Sequence, residues 1–340
     1  MAKRIEKWDI LKFILILTVV LGHFADFYTG KSELMRHIYL FIYTFHMPLF
    51  IFVSGLFSKR TVNEMRFEKI AGYLVVYLFT KLAFALYVLI AWGKFELELF
   101  DDGGLPWFMF AMFAFPLITY CVRKVKFPIV LAVSVAVALI VGYFRCVGTV
   151  LSLSRIIVYF PFFYVGYIIK IDDLQRFTDN KKVKIASAVF LILLAVAIFG
   201  FGENFYFLRS MFTGKNSYYS IKQHFYYAFV FRLLCYVISA AAGFAVIALT
   251  PNNSKVKLVT AFGARTLSVY VYHNIVLYII YYHIGFKNVL SAPLPWWALL
   301  VMIPISVGIT LLLSLNIFYK PLEYMMNLPS TIKQKINARS

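Results

Sequence analysis

The segment that decides the fold reads KFILILTVVLGHFADFY from Lys12 to Tyr28, followed after Thr29 and Gly30 by KSELMR and then by HIYLFIYTFHMPLFIFVSGLF up to Phe57. Two long apolar runs therefore follow one another with only a short polar connection between them. Each run carries a histidine in its interior, His23 in the first and His46 in the second, and Lys12 lies near the start of the first run. Ionisable groups inside apolar spans are costly, and they mark candidate functional sites.

The composition extends this pattern to the whole chain. Of 340 residues, 62% are hydrophobic and 14% are charged, with a mean hydropathy of +0.80, whereas a soluble domain carries about 25% charged residues. A chain in lipid must satisfy its backbone hydrogen bonds internally, and no period-2 alternation typical of a β-barrel appears. We therefore predict an all-α polytopic membrane helix bundle that forms a single domain over residues 1–340, with no soluble domain attached.

Ten apolar runs are long enough to cross about 30 Å of hydrocarbon. They are residues 9–28, 37–58, 70–93, 106–122, 128–144, 152–170, 185–202, 225–249, 261–284 and 296–319. With a cytoplasmic N-terminus, 22 of the 34 Lys and Arg residues fall in inside segments and 8 in outside loops. Because basic residues collect in cytoplasmic loops, this distribution predicts ten spans with both termini cytoplasmic. It also explains the net charge of +19, so we expect membrane lipid and not nucleic acid as the surroundings.

Lys12 and His23 lie on one face of the first predicted helix. They are eleven residues apart, which is close to three full turns, with a rise of roughly 16 Å. Asp9 precedes Lys12 by three residues and is placed to pair with it. Taken singly, Lys12 is also consistent with an anchor that snorkels to the interface, and His23 with a hydrogen bond between helices.

Five ionisable residues from five predicted spans fall at similar depth in the outer half of the bilayer. They are His23, His46, His273, Arg155 and Arg232. Similar depth does not establish proximity, but the set indicates a polar cavity that opens to the outside. Histidine suits general-base chemistry near neutral pH, and arginine suits binding of an anion or of a developing oxyanion.

A metal is not expected in this cavity. Three histidines could hold one, but no carboxylate lies at matching depth, and Cys121, Cys146 and Cys235 are scattered without metal-ligand spacing. No GxSxG, HExxH or paired catalytic carboxylates appear either, so the common soluble hydrolase and metalloprotease motifs are missing.

Six segments of the chain, taken in order, resemble the acyltransferase-3 family of integral membrane acyltransferases, in particular its fucose O-acetylase-like branch. In the first of them, Asp9, Lys12 and His23 match the family's pattern of an acid, a basic residue and a histidine, with Lys where Arg is commoner. The segments are RIEKWDILKFILILTVVLGHF (4–24), YTFHMPLFIFVSGLF (43–57), LPWFMFAMF (105–113), SRIIVYFPFFYVGYIIK (154–170), GARTLSVYVYHNIVL (263–277) and KPLEYM (320–325).

The resemblance implies a donor and an acceptor. The donor is acyl-CoA, expected as acetyl-CoA, which arrives from the cytoplasm, and His23 is the key catalytic residue. Lys12, Lys59, Arg60 and Lys69 are the predicted contacts to the phosphates of coenzyme A, because phosphates need cations. Without the resemblance, Lys59 and Arg60 are better explained as ordinary positive charge in a cytoplasmic loop.

The sequence thus predicts a membrane O-acyltransferase of the cell (plasma) membrane, bacterial by its resemblance, that modifies a polysaccharide. It would transfer an acyl group, acetyl or succinyl, to a hydroxyl of a cell-surface polysaccharide or its lipid-linked precursor. His23 would act as general base, with His46, His273, Arg155 and Arg232 in the same catalytic cavity. The alternative is a polytopic transporter or exporter of a glycan or small polar substrate, in which these residues line the pathway.

Overall fold

The computed structural model describes residues 6–100, 106–148, 150–253, 257–289 and 297–338, and over these ranges the chain is helical and contains no strand. The α-helices are α1 Glu6–Asp26, α2 Glu33–Leu56, α3 Lys59–Asn63, α4 Phe67–Trp92, α5 Trp107–Val122, α6 Phe127–Ile140, α7 Leu153–Ile168, α8 Ile171–Thr178, α9 Lys181–Phe205, α10 Arg209–Phe212, α11 Ala228–Leu249, α12 Lys257–Gly263, α13 Thr266–Tyr278, α14 Phe286–Val289, α15 Ala298–Leu313 and α16 Asn316–Asn337. Short 3-10 segments cover Val141–Tyr143, Arg145–Val147, Tyr206–Leu208 and Tyr218–Tyr227, and Ile279–His283 forms a π-helical turn.

The all-α prediction is confirmed, and each predicted apolar run lies on helix over most of its described length. Among the described residues, five helices are long and apolar enough to cross a bilayer, or seven if two bent pairs each form one span. The ten-span count and the orientation of the termini therefore stay predictions. Four basic residues used for the orientation, Lys3, Arg4, Lys255 and Arg339, lie outside the described residues, as does the first residue of the tenth run.

The chain divides into two structural units, each made of discontinuous segments. The first comprises Met1–Phe50, Lys170–Phe212 and Leu233–Asn316. In this unit α1 packs against α12, α13 and α15. Gly263 at the end of α12 permits the closest of these approaches, because a Cβ at this position would overlap the Asp9 carbonyl oxygen of α1. Small residues allow such close contact between apolar helices.

The second unit comprises Ile51–Ile169, Thr213–Arg232 and Ile317–Ser340. Within it α5 packs against α4 and α7, and α6 packs against α7. Glycines again mark a close crossing, since a Cβ on Gly55 would overlap the Phe163 carbonyl oxygen and a Cβ on Gly166 would overlap that of Phe52. The end of α2 and the middle of α7 are therefore in backbone contact.

Candidate active site

The start of α1 is held in place by buried charges. Lys7 is fully buried, and its Nζ donates to Thr178 Oγ1 at 3.1 Å and lies 3.5 Å from Asp179 Oδ1. Asp179 also accepts a hydrogen bond from Asn252 Nδ2 at 3.0 Å and lies 3.4 Å from Lys184 Nζ. Partial burial acts to raise the pKa of the Asp179 carboxyl, but the Asn252 hydrogen bond and the two lysines outweigh it and hold that pKa below its usual range.

The predicted pairing of Asp9 with Lys12 is confirmed. Asp9 Oδ1 lies 2.8 Å from Lys12 Nζ, one turn along α1, and the Asp9 side chain is buried while that of Lys12 is 27% exposed. The Lys12 ammonium is therefore held near the start of α1, and the Lys12 side chain stays partly exposed. Three turns further along the same face comes His23, which is half-buried.

His23 on α1 and His273 on α13 lie side by side. Their ring centroids are 5.3 Å apart and the ring planes are inclined by 47°. The contact follows from the packing of α13 on α1 in the first unit. Sequence reasoning placed these two histidines at similar depth, and the structure brings them together although 250 residues separate them in the chain.

The helix that carries His273 fixes the tautomer of its imidazole. Nδ1 lies 2.8 Å from the Val269 carbonyl oxygen and 2.9 Å from that of Tyr270. A carbonyl oxygen can only accept, so Nδ1 carries the hydrogen and the neutral ring keeps its lone pair on Nε2. His273 is fully buried, and Nε2 has no hydrogen-bond partner within the described part of the chain. The ring thus offers one acceptor atom in a water-poor site.

His46 on α2 has the same local arrangement. Its Nδ1 donates to the Ile42 carbonyl oxygen at 2.8 Å, and its ring meets the Tyr43 ring edge to face at 4.4 Å. The side chain is 2% exposed. The Ile42 and Tyr43 contacts hold His46 within its own helix, and Nε2 is again the atom that keeps the lone pair.

The structure reveals an ion pair that sequence reasoning missed. Arg209 pairs through Nη2 with Asp26 Oδ1, and its guanidinium lies 4.5 Å over the Tyr39 ring. Asp26 is the last residue of α1 and follows His23 by three residues. The Asp26–Arg209 ion pair therefore lies on the helix face that carries His23, at the end of the helix. An acidic residue near the end of an apolar run was the available signal, but its partner on α10 could not be inferred from spacing.

The two predicted arginines belong to the second unit and lie against aromatic rings there. The Arg155 guanidinium is 4.9 Å over Trp107. Arg232 is 1% exposed, and its Nε donates to the Tyr218 hydroxyl at 3.2 Å, while that hydroxyl donates to the Leu139 carbonyl oxygen at 2.8 Å. Nη1 and Nη2 of Arg232 have no hydrogen-bond partner among the described residues. A buried guanidinium with unfilled donors is costly unless an anion or water binds it.

The three predicted coenzyme A contacts of the second unit differ in the hydrogen bonds that they make within the protein. Lys59 Nζ donates to the Ile169 carbonyl oxygen at 2.7 Å, so it caps the end of α7. Arg60 is exposed and donates through Nε to both Glu64 oxygens, at 2.9 and 3.1 Å. Lys69 is exposed in the first turn of α4. Lys59 therefore has a structural role that the positive-inside interpretation did not anticipate.

Comparison with known families adds a decisive observation. The model of the acyltransferase-3 family, described as an acyltransferase domain, matches residues 5–315. The chain belongs to the acyltransferase-3 family. No match was found among curated proteins or among solved structures.

Membership of the acyltransferase-3 family agrees with the helices seen here. The matched region begins at the start of α1 and extends past the end of α15, so it includes Lys12, His23, His46 and His273. Apolar helices of spanning length and this family together indicate a membrane acyltransferase. The fucose O-acetylase-like branch within the family stays a prediction.

Proposed function

We propose that this acyltransferase is an O-acyltransferase of the cell membrane, O-acetyl being the expected reaction. It would take the acyl group from cytoplasmic acetyl-CoA and pass it to a hydroxyl of a cell-surface polysaccharide or of its lipid-linked precursor. The observation that carries this proposal is the His23–His273 pair, with ring centroids 5.3 Å apart, inside a chain that matches the acyltransferase family along most of its length.

His23 is the proposed general base. The acceptor hydroxyl would give its proton to a ring nitrogen of His23 as its oxygen attacks the thioester carbonyl carbon. The C–S bond then breaks, and the proton passes from the imidazolium to the departing thiolate. The products are the O-acyl ester and free coenzyme A, with all atoms and charges accounted for.

His273 is the proposed positioning residue for His23. With its own Nδ1 hydrogen committed to helix carbonyl oxygens, its Nε2 is able to accept an N–H from His23. That contact would fix the His23 tautomer and leave the other ring nitrogen of His23 as the base. Catalytic hydrogen bonds often shorten only when substrate is bound, and a centroid separation of 5.3 Å needs only a modest approach.

The other predicted site residues receive their proposed roles from their charge and from the contacts that they already make. Lys12 is the proposed cation for a coenzyme A phosphate in the first unit, because its ammonium is partly exposed beside Asp9. Arg60 and Lys69 are exposed cations of the second unit, and Arg232 is the buried one with unfilled donors. Arg155, His46 and Lys59 have engaged side chains, so their proposed roles are positioning ones.

Labelling from radioactive acetyl-CoA tests this proposal. Membranes that contain the protein should transfer label to glycan, and His23→Ala should reduce the rate by at least about 100-fold, because general-base catalysis contributes 10²–10⁴-fold. His283→Ala is the matched control, since His283 is exposed and should leave the rate unchanged. Transfer that survives in His23→Ala at equal protein level would contradict the assignment of the base.

A further inference from the structure

A second cluster of ionisable residues lies away from the His23–His273 pair. Glu33 and His37 are one turn apart at the start of α2, and Glu203 lies near the end of α9. One ligand atom from each of the three lies within 4.8 Å of the other two. His37 Nε2 is 3.5 Å from Glu203 Oε1 and 3.9 Å from Glu33 Oε1.

We propose that Glu33, His37 and Glu203 form a binding site for a divalent transition-metal ion of zinc-like preference. An imidazole with two carboxylates is a ligand set that such ions accept. A tetrahedral ion about 2.0–2.2 Å from each ligand sets neighbouring ligand atoms roughly 3.4 Å apart. The two distances in the structure are close to that value, so small side-chain adjustments would bring the three ligand atoms onto one ion.

The imidazole of His37 provides the independent reason to infer a ligand here. The residue is 4% exposed, and Nε2 has no hydrogen-bond partner among the described residues although two carboxylates stand near it. The separations suit a shared ion better than a hydrogen bond of good geometry. A cation held between this buried nitrogen and the two carboxylates would give all three groups a partner.

The surroundings hold the ring in this orientation. A Cβ on Gly202 would lie 2.5 Å from His37 Cδ2 and 2.8 Å from Nε2, so only glycine leaves room for the ring against α9. The Phe199 ring meets it edge to face at 5.9 Å. Any larger side chain at position 202 would require the His37 ring to move from this position.

Arg36 is the one other charged group in contact with the cluster among the described residues. Its Nε donates to Glu203 Oε1 at 2.7 Å and its Nη1 donates to the Thr29 carbonyl oxygen at 3.1 Å. With a neutral His37, two carboxylates and one guanidinium leave a net negative charge, which favours a cation. Arg36 would orient the Glu203 carboxylate, as groups around metal ligands commonly do.

Metal content of the purified full-length protein tests the site. The protein is prepared with a histidine-free tag, equilibrated with Zn²⁺, separated from free ion and analysed for bound metal; Co²⁺ is used in parallel for its absorption spectrum. Wild type should hold one ion more per chain than His37→Asn, which lacks a ligand atom at the Nε2 position, and Glu203→Gln should lower the affinity at least 10-fold. The midpoint temperature of thermal unfolding should rise when Zn²⁺ is added to wild type, but not when it is added to these two variants.

Two controls make the result decisive. His283→Ala should bind as much Zn²⁺ as wild type, and the exposed thiols Cys121 and Cys146 contribute equally to every variant, so the difference between variants is the readout. Equal metal content in wild type and His37→Asn, or no bound metal in wild type, would overturn the proposal and leave a His37–Glu203 ion pair. Neither outcome depends on acyl transfer, so failure of the metal site and failure of the acyltransferase proposal are distinguishable.

Discussion

At the scale of single residues, two histidines on different helices have different surroundings. His273 is fully buried and donates through Nδ1 to its own helix, whereas His23 is half-buried and lies on the face that carries Lys12. The sequence could predict that face from an eleven-residue spacing and could predict the Asp9–Lys12 pair from a three-residue spacing. It could not predict that His23 touches His273, because that contact depends on which helix packs on α1.

Two substitutions of His273 separate a positioning role from a packing role. Asn at this position keeps a donor for the Val269 and Tyr270 carbonyl oxygens but removes the acceptor at Nε2, whereas Gln keeps an acceptor near Nε2. We expect His273→Asn to lower kcat for acyl transfer at least 10-fold with little change in KM for acetyl-CoA, and His273→Gln to retain more activity. Equal losses in both variants, together with a lowered thermal midpoint, would indicate that His273 only fills space.

The cluster at His37 shows the same limit on what sequence can predict. Glu33 and His37 share a helix face by their four-residue spacing, which is readable from sequence. Glu203 is 166 residues further on than His37 and joins them only through the packing of α9 beside α2. The prediction of no metal concerned the cavity of His23, His46 and His273, and the Glu33, His37 and Glu203 cluster lies apart from these three residues in the sequence.

At the scale of elements, glycine determines how closely helices approach α1. Gly263 places the end of α12 against the α1 backbone at Asp9, the residue whose side chain pairs with Lys12. Apolar helices in lipid gain their association mainly from such close packing. Hydrophobic runs predicted where the helices are, but the choice of neighbours depends on side-chain size at single positions that periodicity does not identify.

Enlarging Gly263 should therefore separate α12 from α1. We expect Gly263→Val to destabilise the folded protein by about 1–3 kcal/mol, the usual range for overpacking, measured as a lower thermal midpoint in detergent. Gly200→Ala on α9 is the control, because nothing lies within 4 Å of a Cβ built there, and it should leave the midpoint unchanged. An unchanged midpoint in Gly263→Val would show that the α1–α12 contact is not as close as described.

At the scale of the whole molecule, composition was sufficient to predict the class of protein but not its membrane topology. A chain that is 62% hydrophobic with 14% charge specifies a helical membrane protein. The number of spans is harder to predict, because α13 has 13 residues before a π-helical turn and two further apolar stretches are each divided into two helices. Such breaks depend on local packing, and they cannot be predicted from the apolar run in which they occur.

His23 is the proposed base with which this membrane acyltransferase adds acyl groups to a glycan. The most direct test is mass spectrometry of surface polysaccharide from cells that lack the protein, complemented with wild type, with His23→Ala or with His283→Ala at matched protein levels. We expect wild type and His283→Ala to add the mass of one acetyl ester per modified unit, and His23→Ala to add none. An identical glycan mass with and without the wild-type protein, or full acylation by His23→Ala, would contradict the account.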